Sequence, residues 1–469
     1  MSVNLLRPAK SLEEIFGTVS TEPLDTPEKL RVFYREQLNQ VRGEDKVKRV
    51  ARGLARAYGA DYYKAFVMGH PGVGKSTELT RLIQDMAPQY SVIQFSALND
   101  LDPANFKPFD VLLLMMAEVA ERSAKPLDEG GAGTAPSDDR LREIWDWFAT
   151  EEHTRTEASH KAVEIAAGIG VPADSWWTKV LGLFAVLKGE MKYAVDSRRD
   201  VVEYRLDRIS TLIELANRLL DECNDLLRRT ASKEWLIIGE DFDKPGIPNK
   251  RIEELFLTYA NVFKDLRTHL IFTIPIGLGY SHHSVFLPFP SDRVFSIPDT
   301  PVFDENHEPH EQGRNALRAV LKARVSPELF DDGAMERLIV ASGGNLRDLF
   351  SMVTQAADTA IVRDPLSGRI EPPDVDRAIN AQRTEYTRRL GDSPYDTEPI
   401  VYEDKAERLV RIYNADPNTK IPDPVLYFLL RSRAVQEFNG ENWFGVHPLV
   451  VEVLKTQGRL PPAAQGGAV

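Results

Sequence analysis

One stretch constrains the fold more than any other: FVMGHPGVGKSTELTRLI, from Phe66 to Ile83, which fits G-x-x-x-x-G-K-[ST] between Gly69 and Ser76. The residues before it, YYKAFVM, have the character of a buried strand. The residues after it, STELTRLIQDMA, carry Leu79, Leu82, Ile83 and Met86 at helical spacing. Strand, glycine loop and helix in that order predict a phosphate cradle. Gly69, Gly72 and Gly74 let consecutive N–H groups face one point, and the helix N-terminus adds partial positive charge. The residues expected around the phosphates are Gly69, His70, Pro71, Gly72, Val73, Gly74, Lys75, Ser76 and Thr77. Lys75 is placed to reach the β- and γ-phosphates, and the Ser76 hydroxyl to ligate Mg²⁺. A bound nucleotide is therefore the first expectation.

An acidic partner from a neighbouring strand is the second requirement of such a site. EWLIIGEDFDK (234–244) supplies it, as a buried parallel strand with Glu240 and Asp241 at its carboxyl end. Glu240 is assigned to Mg²⁺ and Asp241 to the attacking water, with Asp243 as a third candidate. The Glu-Asp order reverses the usual one. Thr273, on the apolar strand HLIFTIPIGL (269–278), is a candidate for contact with the γ-phosphate or that water. In ASGGNLRDLF (341–350), Gly343 and Gly344 permit a sharp turn and Asn345 is a helix cap. Arg347 then falls in the first helical turn, where it can report on the γ-phosphate.

The chain has 469 residues, enough for two or three domains, and a formal net charge of −13. That balance argues against a protein that coats nucleic acid, though not against a local basic patch. The segment 41–64 is locally basic and reads as a solvated helix face. Cys223 is the only cysteine, so no intrachain disulfide forms, which suits a reducing, cytoplasmic setting. No signal core is visible at the N-terminus, and no run reaches the roughly 18 apolar residues of a membrane span. Lys179 and Lys188 bound the apolar part of 176–194, which reads as a partly buried helix, with a membrane-surface helix as the alternative.

Along the chain, 1–45 reads as an N-terminal adaptor and 46–304 as the P-loop core. Further strands are expected at 90–98 and 293–303, so strands alternating with helices predict a parallel α/β sheet. The long gap between Lys75 and Glu240 requires a helical insertion at about 110–230. It includes a helix at 109–124, a mobile Gly- and Pro-rich loop at 125–139, an exposed polar stretch EEHTRTEASHKA, and a long helix from about Val201 to Arg229 with Leu206 on its apolar face. A helical lid follows at 305–390. Residues 391–460, opening on a linker at 391–399, suggest a winged-helix-like domain with a hairpin turning at Asn439–Gly440. The tail 461–469 reads as disordered.

Glycine loop, strand-end acids, strand Thr and lid Arg occur here in the order of the AAA+ family. The chain resembles a bacterial AAA+ ATPase near the STAND and origin-recognition-like branch, through GxxGxGKSTEL, the acidic strand end and GGNxRDL. The resemblance implies an added strand between the P-loop strand and the acid strand, and ATP hydrolysis coupled to assembly. It also implies an arginine finger from a neighbouring subunit, for which Arg293 is the candidate and Arg267 the runner-up. No N-K-x-D element follows the single NK at Asn249–Lys250, which favours ATP over GTP. Three functions stay open. The first is an ATP-driven switch that oligomerises or engages a protein effector, with anti-phage defence as a role drawn from the resemblance. The second is a DNA-associated ATPase using its C-terminal module, where Arg431–Arg433 and Lys455–Arg459 supply basic charge. The third is a non-hydrolysing nucleotide-binding scaffold.

Overall fold

The computed structural model describes residues 6–149, 152–169, 172, 174–192, 209–391, 399–438 and 443–461. Its centre is a five-stranded parallel sheet of β1 (Lys64–Met68), β2 (Tyr90–Ser96), β3 (Glu234–Glu240), β4 (His269–Ile274) and β5 (Val294–Ser296), in the order β2-β3-β4-β1-β5. The expected added strand is β4, which lies between the glycine-loop strand β1 and the acid strand β3. Every residue of β4 is buried, as a central strand covered on both faces requires. Register aligns the functional ends: Val67 pairs with Thr273, and Ser96 with Glu240. The glycine loop, the acids and Thr273 therefore emerge at one edge of the sheet, its carboxyl end.

The apolar residues form three buried clusters. One face of the sheet packs on the helices Lys46–Ala57 and Lys75–Met86 through Val50, Leu54, Leu79 and Leu82. The other face packs on the expected insertion, with helices Pro108–Ala124, Asp138–Phe148, Glu152–Ile169, Trp176–Lys192 and Ile209–Ala231 between β2 and β3. Leu206 lies outside the described residues. In Trp176–Lys192, Val180, Leu183, Phe184 and Leu187 are buried, so this is the partly buried helix rather than a membrane-surface one. Among the described residues no helix is long and apolar enough to cross a membrane. Burial pushes the Cys223 thiol up to about 12, which makes it an inert core residue.

One expectation for the insertion needs correction and one needs refining. The 125–139 segment is folded back on its own helix: Ala132 is buried, and its N–H donates to Ser123 O at 3.0 Å. The polar stretch EEHTRTEASHKA is largely exposed, as expected, but from Glu152 on it is helical, and Thr154, Ala158 and Ala162 on it are buried. Small residues explain this, because a Cβ on Gly182 of the next helix would stand 2.3 Å from Ala158 O. Polarity by composition hid a close helix–helix approach.

The third cluster joins three distant parts of the chain. It contains Leu12, Ile15 and Val19 from the N-terminal segment, and Leu338, Leu349 and Val353 from the helices of 311–389. It also contains Leu409, Leu429, Val435 and Leu449 from the C-terminal segment. That segment has helices Tyr402–Tyr413, Pro424–Arg431 and Pro448–Thr456 with an antiparallel pair, β6 (Val435–Phe438) and β7 (Trp443–Val446). The expected turn at Asn439–Gly440, most of the 391–399 linker and the tail from 462 lie outside the described residues.

Candidate nucleotide site

The glycine loop leaves β1 and turns into the helix Lys75–Met86 with φ of +145° at Gly69, +96° at Gly72 and +105° at Gly74. Gly72 needs both this conformation and its missing side chain. A Cβ there would stand 2.5 Å from Arg347 Cβ and 2.5 Å from Asn345 Oδ1. The lid thus touches the loop directly, and Arg347 N–H donates to Gly72 O at 3.3 Å. Asn345 caps the helix Leu346–Arg363 by accepting from Asp348 N–H, and this aims Arg347 at the cavity.

A cavity of about 740 Å³ opens over the loop. Lys75 sits at its floor, buried, donating to Gly69 O at 2.8 Å and His70 O at 2.9 Å, and 2.8 Å from Asp243 Oδ2. Burial lowers the Lys75 pKa. Burial alone would raise Asp243, but Lys75 and Lys244 hold its carboxyl below the ordinary range, so it stays ionised. Glu240 and Ser76 line the cavity together, and Glu240 Oε1 accepts from Gln94 Nε2 at 3.1 Å. Burial raises its pKa, and Asp241 and Asp243 add to the rise. Asp241 adopts φ +67°, which lets its Oδ2 accept from Ser96 Oγ at 2.6 Å, while its Oδ1 lies 3.6 Å from Lys244. Thr273 is 1% exposed, and its Oγ1 has no hydrogen-bond partner among the described residues. Lys75, Ser76, Glu240, Asp241, Asp243, Thr273 and Arg347 all line this cavity with Gly72, Val73, Gly74 and Thr77, whereas Gly69, His70, Pro71 and Asn345 do not.

His70 is the first of several departures from expectation. Its side chain turns away from the cavity into a fully buried contact, with Nδ1 2.7 Å from Asp299 Oδ2. The Pro71 carbonyl faces outward as an acceptor, taking Asn345 Nδ2 at 3.1 Å and Arg433 Nη1 at 3.3 Å. Arg433 also reaches Asn345 Oδ1 at 3.2 Å and Asp348 Oδ1 at 3.0 Å, and Tyr386 Oη donates to Asp348 Oδ2 at 2.6 Å. Arg433 is therefore a buried structural cation tied to the loop and lid, not part of an exposed basic surface. Thr77 Oγ1 accepts from Leu24 N–H at 3.1 Å, and residues 20–25 with Tyr34, Arg35 and Arg42 form one cavity wall. The N-terminal segment, expected to be an adaptor, is thus part of the site.

Arg293 and Arg267 are not at this cavity. Arg293 precedes β5 at the amino end of the sheet, stacked 4.7 Å over the Tyr63 ring. Arg267 precedes β4, also at the amino end, 2.9 Å from Asp221. Sequence reasoning missed Asp299, Arg433 and the 20–25 wall. Asp299 and the wall had no local signal. Arg433 was visible only as one basic residue in RSR.

No protein-family model matches the sequence, and no curated protein is similar to it. Solved structures do resemble the chain. The Walker-type ATPase PABY2304 of Pyrococcus abyssi has a TM-score of 0.39 at 14% identity, covering 93% of this chain and 99% of that one. The Orc1 protein of Aeropyrum pernix in complex with DNA scores 0.36 at 13% identity, covering 88% and 82%. Cdc6p of Pyrobaculum aerophilum scores 0.36 at 12% identity, covering 92% and 98%.

Proposed function

We propose that this chain is an ATP-binding and ATP-hydrolysing switch of the AAA+ class, coupling nucleotide to assembly or to engagement of a partner. One observation carries the reading: Lys75, Ser76 with Glu240, Thr273 and Arg347 converge on one cavity although they come from four separate segments. The residues fit a magnesium nucleotide. The unpartnered Thr273 hydroxyl is a buried polar atom that awaits a ligand, and Ser76 with Glu240 is an oxygen donor set. No cluster of three or more metal-ligating side chains exists among the described residues. That suits an ion held by one or two side chains together with phosphate oxygens.

Ser76 and Glu240 would hold the Mg²⁺, which supplies charge neutralisation on the phosphates. Lys75 leaves the Gly69 and His70 carbonyls to bind phosphate oxygens. Asp241, held by Ser96, accepts the proton of the attacking water, and Thr273 orients that water or the γ-phosphate. Arg347 binds the γ-phosphate from the lid, and because its helix touches Gly72, the loop and lid move as one unit. Arg293 is proposed as the finger offered to a neighbouring subunit, since its own cavity is out of its reach.

The test is ATP turnover by the purified protein with Mg²⁺, measured against protein concentration. Turnover per chain that rises with concentration supports a site completed between subunits. Tight ATP binding without turnover at any concentration would replace this reading with a nucleotide-binding scaffold.

A further inference from the structure

A second concave surface lies at the amino end of the sheet, away from the nucleotide cavity. It encloses about 530 Å³ between the helix Lys46–Ala57 and the start of β5. Val47, Val50 and Leu54 bury one face of that helix. Arg49, Arg52 and Arg56, at i, i+3 and i+7, occupy the opposite face and line the groove together with Arg293. Gly53 lets the Tyr63 ring pack beneath them, because a Cβ there would stand 2.1 Å from it. Tyr63 in turn carries the Arg293 guanidinium.

Arg49 pairs with Glu44 at 2.8 Å. Arg52, Arg56 and Arg293 have no carboxylate partner in ion-pair range among the described residues, although Asp61 and Asp292 sit on the rim. In a chain of net charge −13, four guanidinium groups gathered on one groove make a local inversion of charge. All four cations are arginines, whose planar forks match phosphate oxygens. Arginine and tyrosine side chains dominate the lining and Phe295 is buried, so the groove presents concentrated positive charge.

We infer that this groove binds the phosphate backbone of a nucleic acid, through Arg52, Arg56 and Arg293 with Arg49 at its edge. The inference does not require ATP hydrolysis, but it competes with the finger role for Arg293, which cannot hold a nucleic-acid phosphate and a neighbour's nucleotide at once. It also relocates nucleic-acid contact from the C-terminal module, whose Arg433 is buried and whose Arg459 pairs with Glu403 at 2.7 Å.

The experiment is fluorescence anisotropy with a labelled 20-base-pair duplex and, separately, its single strand, from 50 to 200 mM salt without nucleotide. Three to four phosphate contacts predict that wild-type affinity for duplex falls roughly 40- to 150-fold over that range. In the Arg52→Ala/Arg56→Ala variant the fall shrinks to roughly 3- to 12-fold, and binding at 50 mM weakens. Both positions are exposed, so the melting temperature stays at the wild-type value. Lys455→Ala, in the C-terminal module, leaves affinity unchanged. A preference for one probe tells which form of nucleic acid the groove takes. Equal binding by the double variant and wild type, or no binding by wild type, overturns the inference. So does a double variant whose only defect is lost self-association, because the groove would then face a second copy of the chain.

Discussion

The two ends of the sheet hold positive charge in opposite ways. At the carboxyl end two cations are buried against acids and carbonyls: Lys75 against Asp243, Gly69 and His70, and Arg433 against Asp348 and Pro71. At the amino end, Arg52 and Arg56 stand exposed on a helix face, with no carboxylate partner among the described residues. A buried, partnered cation binds a ligand only by exchanging partners, so binding there reorganises the structure. An exposed cation exchanges only counterions, so binding there is generic and dependent on salt. Under the functions proposed above, one end would switch and the other would hold.

The strongest way to break this contrast is Lys75→Ala. Turnover should fall by roughly 10²–10³-fold or more. Asp243 would be left buried without its partner, at a stability loss of about 3–5 kcal/mol. A melting temperature equal to wild type would mean that the pair contributes nothing and that the carboxyl end resembles the amino end. Glu240→Gln should retain ATP binding while turnover drops roughly 10²-fold. Turnover that persists would move the metal role to Asp241 or Asp243.

Acid pH probes the buried network differently. His447 is fully buried, its Nε2 donating to Ser342 O at 3.1 Å and its Nδ1 accepting from Leu449 N–H at 3.2 Å, so the ring is neutral. Burial depresses its pKa to about 4. The unfolded chain takes up this proton near pH 6.5 and the folded chain only near 4, so the stabilisation is complete above about 6.5 and is lost as pH falls toward 4. The loss is about 3 kcal/mol. The denaturation midpoint at pH 7 and at pH 5 should therefore differ less in His447→Gln than in wild type. Arg347→Ala should weaken ATP binding by roughly tenfold, read by calorimetry, with little change in melting temperature. A large loss of stability instead would make Arg347 a packing residue against Gly72.

The parts of this molecule legible in the sequence are those whose physics is local. Strand, loop and helix from Lys64 to Met86 are coded by contiguous spacing, and Glu240 announces itself as an acid ending an apolar run. The strand order was legible through the family resemblance rather than through any spacing. Asp299 was not legible, because its partner His70 lies more than two hundred residues away and Asp299 itself sits in no pattern. Arg433 was misread, because a basic tripeptide looks the same whether it faces solvent or a buried Asp348. The arginine groove was half visible. Arg49, Arg52 and Arg56 share a helical face by spacing, but Arg293 joins them only because β5 pairs with β1.

The contact between Arg433 and the Pro71 carbonyl spans 362 positions of the chain. In time rather than space, it means that the glycine loop is synthesised long before the residue that anchors it. At ordinary translation speeds, roughly 20 to 70 s separate the two at the ribosome. For most of that interval the growing chain has a phosphate loop without its lid, and for all of it without the C-terminal anchor. The glycine loop is made well before the contacts that close it, so a chain interrupted between them carries the motif without those contacts.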